Sequence, residues 1–329
     1  MRIQKRTIAI LLKVVILVLT FWFIYHKLSE PRSLEKIEAF FSQPFSSRTI
    51  WLLSLTVGLM VLNWGTEVFK WKYLITKIEK VSLWKSTESL LAGLTLAIFT
   101  PNRIGEYGGR ILYLKPGNRV KGAFAMWVGA FSQMLVTNVL GAVAFYFFAL
   151  RFIGLNTALQ AALGLGVFIF CLLFTLFYFN VRWLYIILSS FRFLRKFRRY
   201  FRVLLMYRKK ELLVSLLYSL LRYAVFTTQH VLLIYLFLPA VDYATSVMLI
   251  SVILMVQSIV PTMAMLDDLG VRGATSAYFF GFVVAPADAS FVLASAFGVW
   301  IVNIILPAIA GLVFVFKANF FGGNGRNNH

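Results

Sequence analysis

The sequence predicts an all-α, polytopic integral membrane bundle, and three observations carry that prediction. The 329 residues are 60% apolar and only 14% charged, with a mean hydropathy of +0.81. A soluble domain carries about 25% charged and 45–50% apolar residues. Several apolar runs approach the roughly 20 residues that a helix needs to cross the hydrocarbon. Lys and Arg outnumber Asp and Glu 33 to 12, giving +21, and the cations gather between the runs, as the positive-inside bias requires. This composition excludes a soluble enzyme, a disordered chain and a secreted disulfide scaffold. The positive charge reads as topology and contact with anionic headgroups rather than nucleic acid.

The elements follow in chain order. Residues 7–25, behind Arg2, Lys5 and Arg6, read as an uncleaved first helix with a cytoplasmic N-terminus. The loop at 26–48 has near-balanced charge and suits the outer side. Residues 49–68 return inward to Lys70, Lys72, Lys77, Lys80 and Lys85. Glu67, with Asn63, is expected to pair with Lys70 or Lys72 at that inner surface. Residues 89–100 are too short to cross and stop at Pro101. A charged stretch at 102–110 and a short apolar piece at 111–114 follow, then Lys115, Arg119 and Lys121. These cations need the side of the earlier lysines, so the segment reads as a re-entrant hairpin.

Residues 122–150 and 157–180 are full spans. Residues 182–210 hold ten Arg or Lys and no acid. Within them Arg192, Arg195, Arg199 and Arg202 recur at helical spacing opposite Leu194, Phe197, Phe201 and Leu204. This predicts an amphipathic helix on the inner membrane surface, its arginines meeting lipid headgroups. Residues 212–238 cross outward, and Pro239 and Asp242 mark an outer turn. A second broken piece follows: 244–260 stopped by Pro261, a polar interruption with Asp267, Asp268, Gly270, Arg272 and Gly273, and 278–284. Residues 291–316 span and bring the C-terminus to the cytoplasm, and 319–329 read as a disordered tail. The expectation is one transmembrane domain over 1–318, with about six full spans and two broken helix pairs.

Residues 49–150 and 212–316 share one pattern: span, broken piece, span. The match runs from Pro101 and residues 104–109 to Pro261 and residues 269–274, with five extra residues in the second copy. The loop charges place the units in opposite orientations, which predicts an inverted repeat of the kind that surrounds a midplane site in secondary transporters.

The candidate binding residues lie in the two breaks. A charge at the membrane centre costs about 2.5–3.5 kcal/mol, so Arg103, Glu106 and Arg110 must face protein or a wet cavity, and ionisable groups so placed are functional candidates. Gly105, Gly108 and Gly109 allow the backbone to break there. Arg103 and Arg110 would seat an anionic headgroup, with Glu106 positioning or titrating. Asp267, Asp268 and Arg272 would form the opposite wall, and Arg222, about ten residues into its span, is a further cavity candidate. No catalytic motif is present, the three histidines lie far apart, and Cys171 is the lone cysteine. No cofactor, metal or disulfide is expected.

Pro101, Arg103-Ile104-Gly105-Glu106 and Arg110, followed by a basic turn and a long span, resemble the signature of the lysylphosphatidylglycerol synthase transmembrane-region family. Lys70-Trp71-Lys72-Tyr73-Leu74 is similar to that family's basic-Trp helix end, and Pro261 with Gly270-Val271-Arg272 to its second motif. The chain departs from the family at residues 130–138, which lack its Arg and Asp, and at Gly273, where an acid is usual. The resemblance implies a flippase-like membrane protein of a bacterial cytoplasmic membrane. It would translocate or present a lipid or lipid-linked substrate, without the synthase domain that some members carry. Two other classes are carried: a membrane-embedded lipid-modifying transferase, and a non-catalytic partner that recruits a cytoplasmic synthase or transferase.

Overall fold

The computed structural model describes residues 42, 46–100, 103–192, 198–259, 265–285 and 288–317, with the side chains of 188, 199, 265–270 and 290 outside that description. The expected helix at 7–25, Pro101, Pro261, Arg195 and the tail at 319–329 therefore lie outside the described residues, as do the side chains of Arg199, Asp267 and Asp268. Among the described residues the chain is helical throughout, with no strand. Five helices among the described residues are long and apolar enough to cross a membrane: Ser47–Ile75, Pro116–Phe152, Thr157–Phe179, Lys209–Phe237 and Phe291–Phe316.

Helix α1 (Ser47–Ile75) starts where the Ser46 hydroxyl accepts the Thr49 N–H at 3.2 Å. Helix α2 (Leu83–Ala97) starts at Ser82, capped in the same way, because a serine oxygen satisfies an otherwise orphaned N–H. Helix α3 (Ile104–Leu112) turns back along α2. A short 3-10 turn at Pro116–Asn118 leads into α4 (Arg119–Phe152). Helix α5 (Thr157–Phe179) lies at the periphery and leaves Leu165, Phe168 and Leu173 exposed, the all-round apolar surface of a helix that faces lipid. Short α6 (Val181–Ser190) and α7 (Arg198–Phe201) connect to α8 (Lys209–Phe237). Then come α9 (Tyr243–Ile259) and α10 (Met265–Phe280). The last crossing is α11 (Ala289–Trp300), a π turn at Ile301–Ile305 and α12 (Leu306–Lys317).

Three antiparallel pairings organise the bundle. Along α1 and α8, Arg48 meets Tyr235, Thr56 meets Gln229, Glu67 meets Arg222 and Lys70 meets Ser219, so one index rises as the other falls. Helix α2 lies against α12, where Thr95 donates to the Ala308 carbonyl at 2.8 Å. Helix α9 lies against α4, where Asn138 bonds Ser258 and Arg151 bonds Thr245.

The first broken piece differs from its expected form. Its charged stretch is helix, not loop: Glu106 and Arg110 both belong to α3. The chain reverses just before, and Arg103 takes the left-handed conformation (φ 56°). The glycines serve close packing rather than the reversal. A Cβ on Gly109 would stand 2.3 Å from the Gly93 Cα, and one on Gly105 2.2 Å from the Leu96 carbonyl oxygen. Helix α1 also packs on α2 through Trp64, Val68, Leu90 and Leu94, and Trp71 donates to Ser89. At that register α2 ends near the midpoint of α1.

The second broken piece is likewise more helical than expected, since α10 runs through 267–273. The basic segment is less regular than a single surface helix. Four-residue α7 passes into a 3-10 turn at Arg202–Met206, and Val203 and Leu204 are buried in the core with Trp71, Leu74 and Ala125. Phe201 meets Phe124 edge-on at 5.2 Å. This apolar side packs on the bundle rather than on a membrane surface. Arg192 is exposed beyond it.

Candidate functional site

The geometry centres on Glu67. It lies six residues past the midpoint of α1, about 9 Å along the axis at 1.5 Å per residue. Asn63, Glu67 and Lys70 share one face by their spacing of four and three, and that face is sealed by α3, α4 and α8. Expected at the surface, the Glu67–Lys70 pair is buried instead. The Lys70 side chain is 2% exposed and reaches Glu67 Oε2 at 2.7 Å. The small residues of α4 and α8 explain this, because they leave room for the lysine stem. Lys70 Nζ also donates to the Gly129 carbonyl and Ser219 Oγ, each at 3.4 Å. Ser132 in turn bonds Ser215 and Ser219 at 2.9 and 2.8 Å.

Two arginines complete the ring around Glu67. Arg110 of α3 donates from Nη1 to Glu67 Oε1 at 2.9 Å and from Nη2 to Glu106. Arg222 of α8 donates from Nη1 to Glu67 Oε2 at 3.0 Å and from Nε to Asn63 Oδ1 at 3.1 Å. Its guanidinium lies 4.8 Å from the centre of the Trp64 ring, a cation–π contact that orients the fork. Glu106 also faces Arg103 at 3.5 Å. Four cations thus surround two carboxylates. Burying such groups is tolerated only when each is paired and hydrogen-bonded.

The network continues into the last crossing. Asn63 Nδ2 donates to Asn303 Oδ1 at 3.0 Å, and Trp64 Nε1 donates to the Asn303 carbonyl at 3.1 Å. Asn303 sits in the π turn. Pro307 has no N–H for the carbonyl four residues back, which is that of Asn303, and the indole fills the vacancy. An unbroken polar chain therefore runs from Arg103 through Arg110, Glu67 and Arg222 to the π turn.

Exposure divides the cations. Arg110 and Lys70 are sealed, at 3% and 2%, while Arg222 is 20% and Arg103 41% exposed. The two more open guanidiniums lie within electrostatic range of each other. Of the residues expected to bind, α3 brings Arg103, Glu106 and Arg110 together, with Arg110 committed to the two carboxylates. Arg272 is half-buried on α10 and within range of His230 of α8. Asp267 and Asp268 stand on the backbone of α10.

The sequence pairs Glu67 with Lys70 or Lys72 at the surface; it does not foresee the burial of that pair or the central place of Glu67, although a glutamate and lysine three apart inside a long apolar run are a signal. A second polar spot, a small cavity lined by His230, Ser276 and Ser295 among apolar side chains, lies between α8, α9, α10 and α11. Among the described residues, no group of three or more His, Cys, Asp or Glu side chains is placed to hold a metal. Comparison of the chain with protein-family models, curated proteins and solved structures returns no match.

Proposed function

We propose that this protein is a flippase-like transporter of a bacterial cytoplasmic membrane, which moves or presents a lipid with an anionic headgroup by alternating access. The observation that carries the reading is the charge balance at Glu67. Among the described residues, four cations against two carboxylates are held inside the bundle between the midpoint and the inner end of α1, and two of the cations are open enough to touch a ligand. Charged side chains at that depth belong to a cavity or a substrate path. The resemblance to the lysylphosphatidylglycerol synthase transmembrane-region family points the same way.

The helix pairings support an inverted repeat around this site. Ser47 and Lys209, which open α1 and α8, are 162 positions apart, and both helices have 29 residues. The same step carries Glu106 to Asp268, Gly108 to Gly270 and Arg110 to Arg272. This registers the two broken pieces three residues differently from the match at 104–109 and needs fewer insertions. Helix α2 packs on α12 of the other unit and α9 on α4, a reciprocal exchange, and α1 and α8 cross as antiparallel equivalents.

Reconstitution tests the function. In liposomes carrying an acyl-labelled fluorescent anionic lipid, dithionite quenching in the presence of wild-type protein is expected to exceed the outer-leaflet share. Arg222→Ala and Arg103→Ala are expected to slow it. Quenching equal to that of empty liposomes overturns the reading.

A further inference from the structure

Resting on that reading, we infer that the headgroup is a phosphomonoester, taken as its dianion between Arg103 and Arg222. The ligand class follows from charge and shape. Lys70, Arg110, Arg222 and Arg103 oppose only Glu67 and Glu106, which leaves two positive charges unmatched among the described residues of the cluster. Unmatched charge is costly where it is partly withdrawn from water, as at Arg222 with 20% exposure, and a compact group with two negative charges offsets it together with the more open Arg103. A phosphodiester headgroup supplies one charge and a zwitterion none. A phosphomonoester supplies two, with three strong acceptor oxygens.

The donors fit that shape. Arg222 uses Nε and one N–H of Nη1, and its Nη2 has no bond among the described residues. Arg103 holds Glu106 only at 3.5 Å from one terminal nitrogen. Each therefore retains part of the planar fork that grips phosphate oxygens. Lys70 and Arg110 are sealed, and both terminal nitrogens of Arg110 are held by carboxylates, so they set the potential of the seat without touching the ligand.

The surroundings favour a lipid over free phosphate. Ile104, next to Arg103, is 61% exposed, so apolar surface borders the seat where an acyl or polyprenyl chain would leave it. Arg103 itself stands at the reversal between α2 and α3, near the midpoint of α1.

The test measures binding to the purified full-length chain in detergent, by displacement of fluorescent phosphatidic acid. The competitors are phosphatidic acid, phosphatidylglycerol, phosphatidylcholine and inorganic phosphate. At pH 8 phosphatidic acid is expected to bind about tenfold tighter than phosphatidylglycerol, the worth of one charge-assisted hydrogen bond. At pH 5, below the second phosphate pKa of about 6, that preference is expected to vanish. Arg103→Gln and Arg222→Gln are each expected to weaken phosphatidic acid about tenfold, and Arg103→Lys to restore part of the loss.

Equal binding of the two anionic lipids, or a preference that ignores pH, overturns the phosphomonoester assignment while leaving a flippase for other anionic lipids standing. Displacement by inorganic phosphate as effective as by the lipid overturns the lipid source. Binding by none of the lipids, together with no transport in liposomes, overturns both readings.

Discussion

Glu67 holds three cations from three helices, and its loss would leave them facing one another. Removing one partner of a buried ion pair costs about 3–5 kcal/mol, because the remaining charge stays buried. Glu67→Gln is therefore expected to destabilise the protein by about that amount, seen as an earlier thermal transition in detergent. Replacing Glu67 with Gln and Lys70 with Met together removes one charge of each sign, and the pair is expected to cost less than Glu67→Gln alone. The sequence makes Arg103, Glu106 and Arg110 visible because charges beside a proline and glycines in an apolar context demand an explanation. It hides the burial of Lys70 because Lys72, Lys77 and Lys80 follow closely and read as one basic end at the surface. Only the fold shows that Gly129, Ser132 and Ser219, from helices far along the chain, close over that lysine.

At the scale of the element, the first hairpin depends on backbone contact between α2 and α3. A Cβ at Gly109 meets the Gly93 backbone, whereas one at Gly108 meets nothing within 4 Å. Gly109→Ala is expected to pry the hairpin apart and reduce both folded yield and transport. Gly108→Ala is expected to fold as well as wild type, since Ala favours helix by about 1 kcal/mol over Gly. Size-exclusion profiles and the liposome assay read both outcomes.

The second broken piece has its own anchor. Asp242 Oδ2 accepts the Thr245 N–H at 2.9 Å at the start of α9, and hydrogen bonds from the Thr245 hydroxyl and N–H together hold its carboxyl below the usual carboxylate range. A depressed carboxylate contributes stability above its unfolded pKa and loses it as pH falls through the folded value. Asp242→Ala is expected to cost about 0.5–2 kcal/mol at neutral pH. The gap in thermal stability from wild type should close as the pH is lowered through the acid range.

Helix existence was legible from apolar runs at this scale, and both broken pieces were legible from Pro101 and Pro261. The helical state of their charged stretches was not, because Gly-rich charged sequence favours loops locally, and packing of Gly105 and Gly109 on α2 overrides that preference. The basic segment misled for a related reason. Its period of arginines fits a surface helix, but the burial of Val203 and Leu204 side by side is set by α1 and α4.

At the scale of the whole molecule, two units of similar pattern cross antiparallel through α1 and α8, with unequal chemistry. Glu67 corresponds, 162 positions on, to Gln229, a neutral side chain of the same shape. Gln229 is fully buried and donates to the Thr56 carbonyl at 2.9 Å. The charged ring is thus built in one unit and closed by Arg222 and Asn303 of the other, so the site belongs to the junction. The central claim is that Arg103 and Arg222, the more open cations of this ring, reach water within the bundle. Substituted-cysteine labelling tests it most directly, with Cys171→Ser as the background and cysteines placed at 103 and 222. A small membrane-impermeant methanethiosulfonate is expected to label both positions while a bulky polyethylene-glycol maleimide labels neither. Labelling of both by the bulky reagent, or of neither by the small one, would contradict the account.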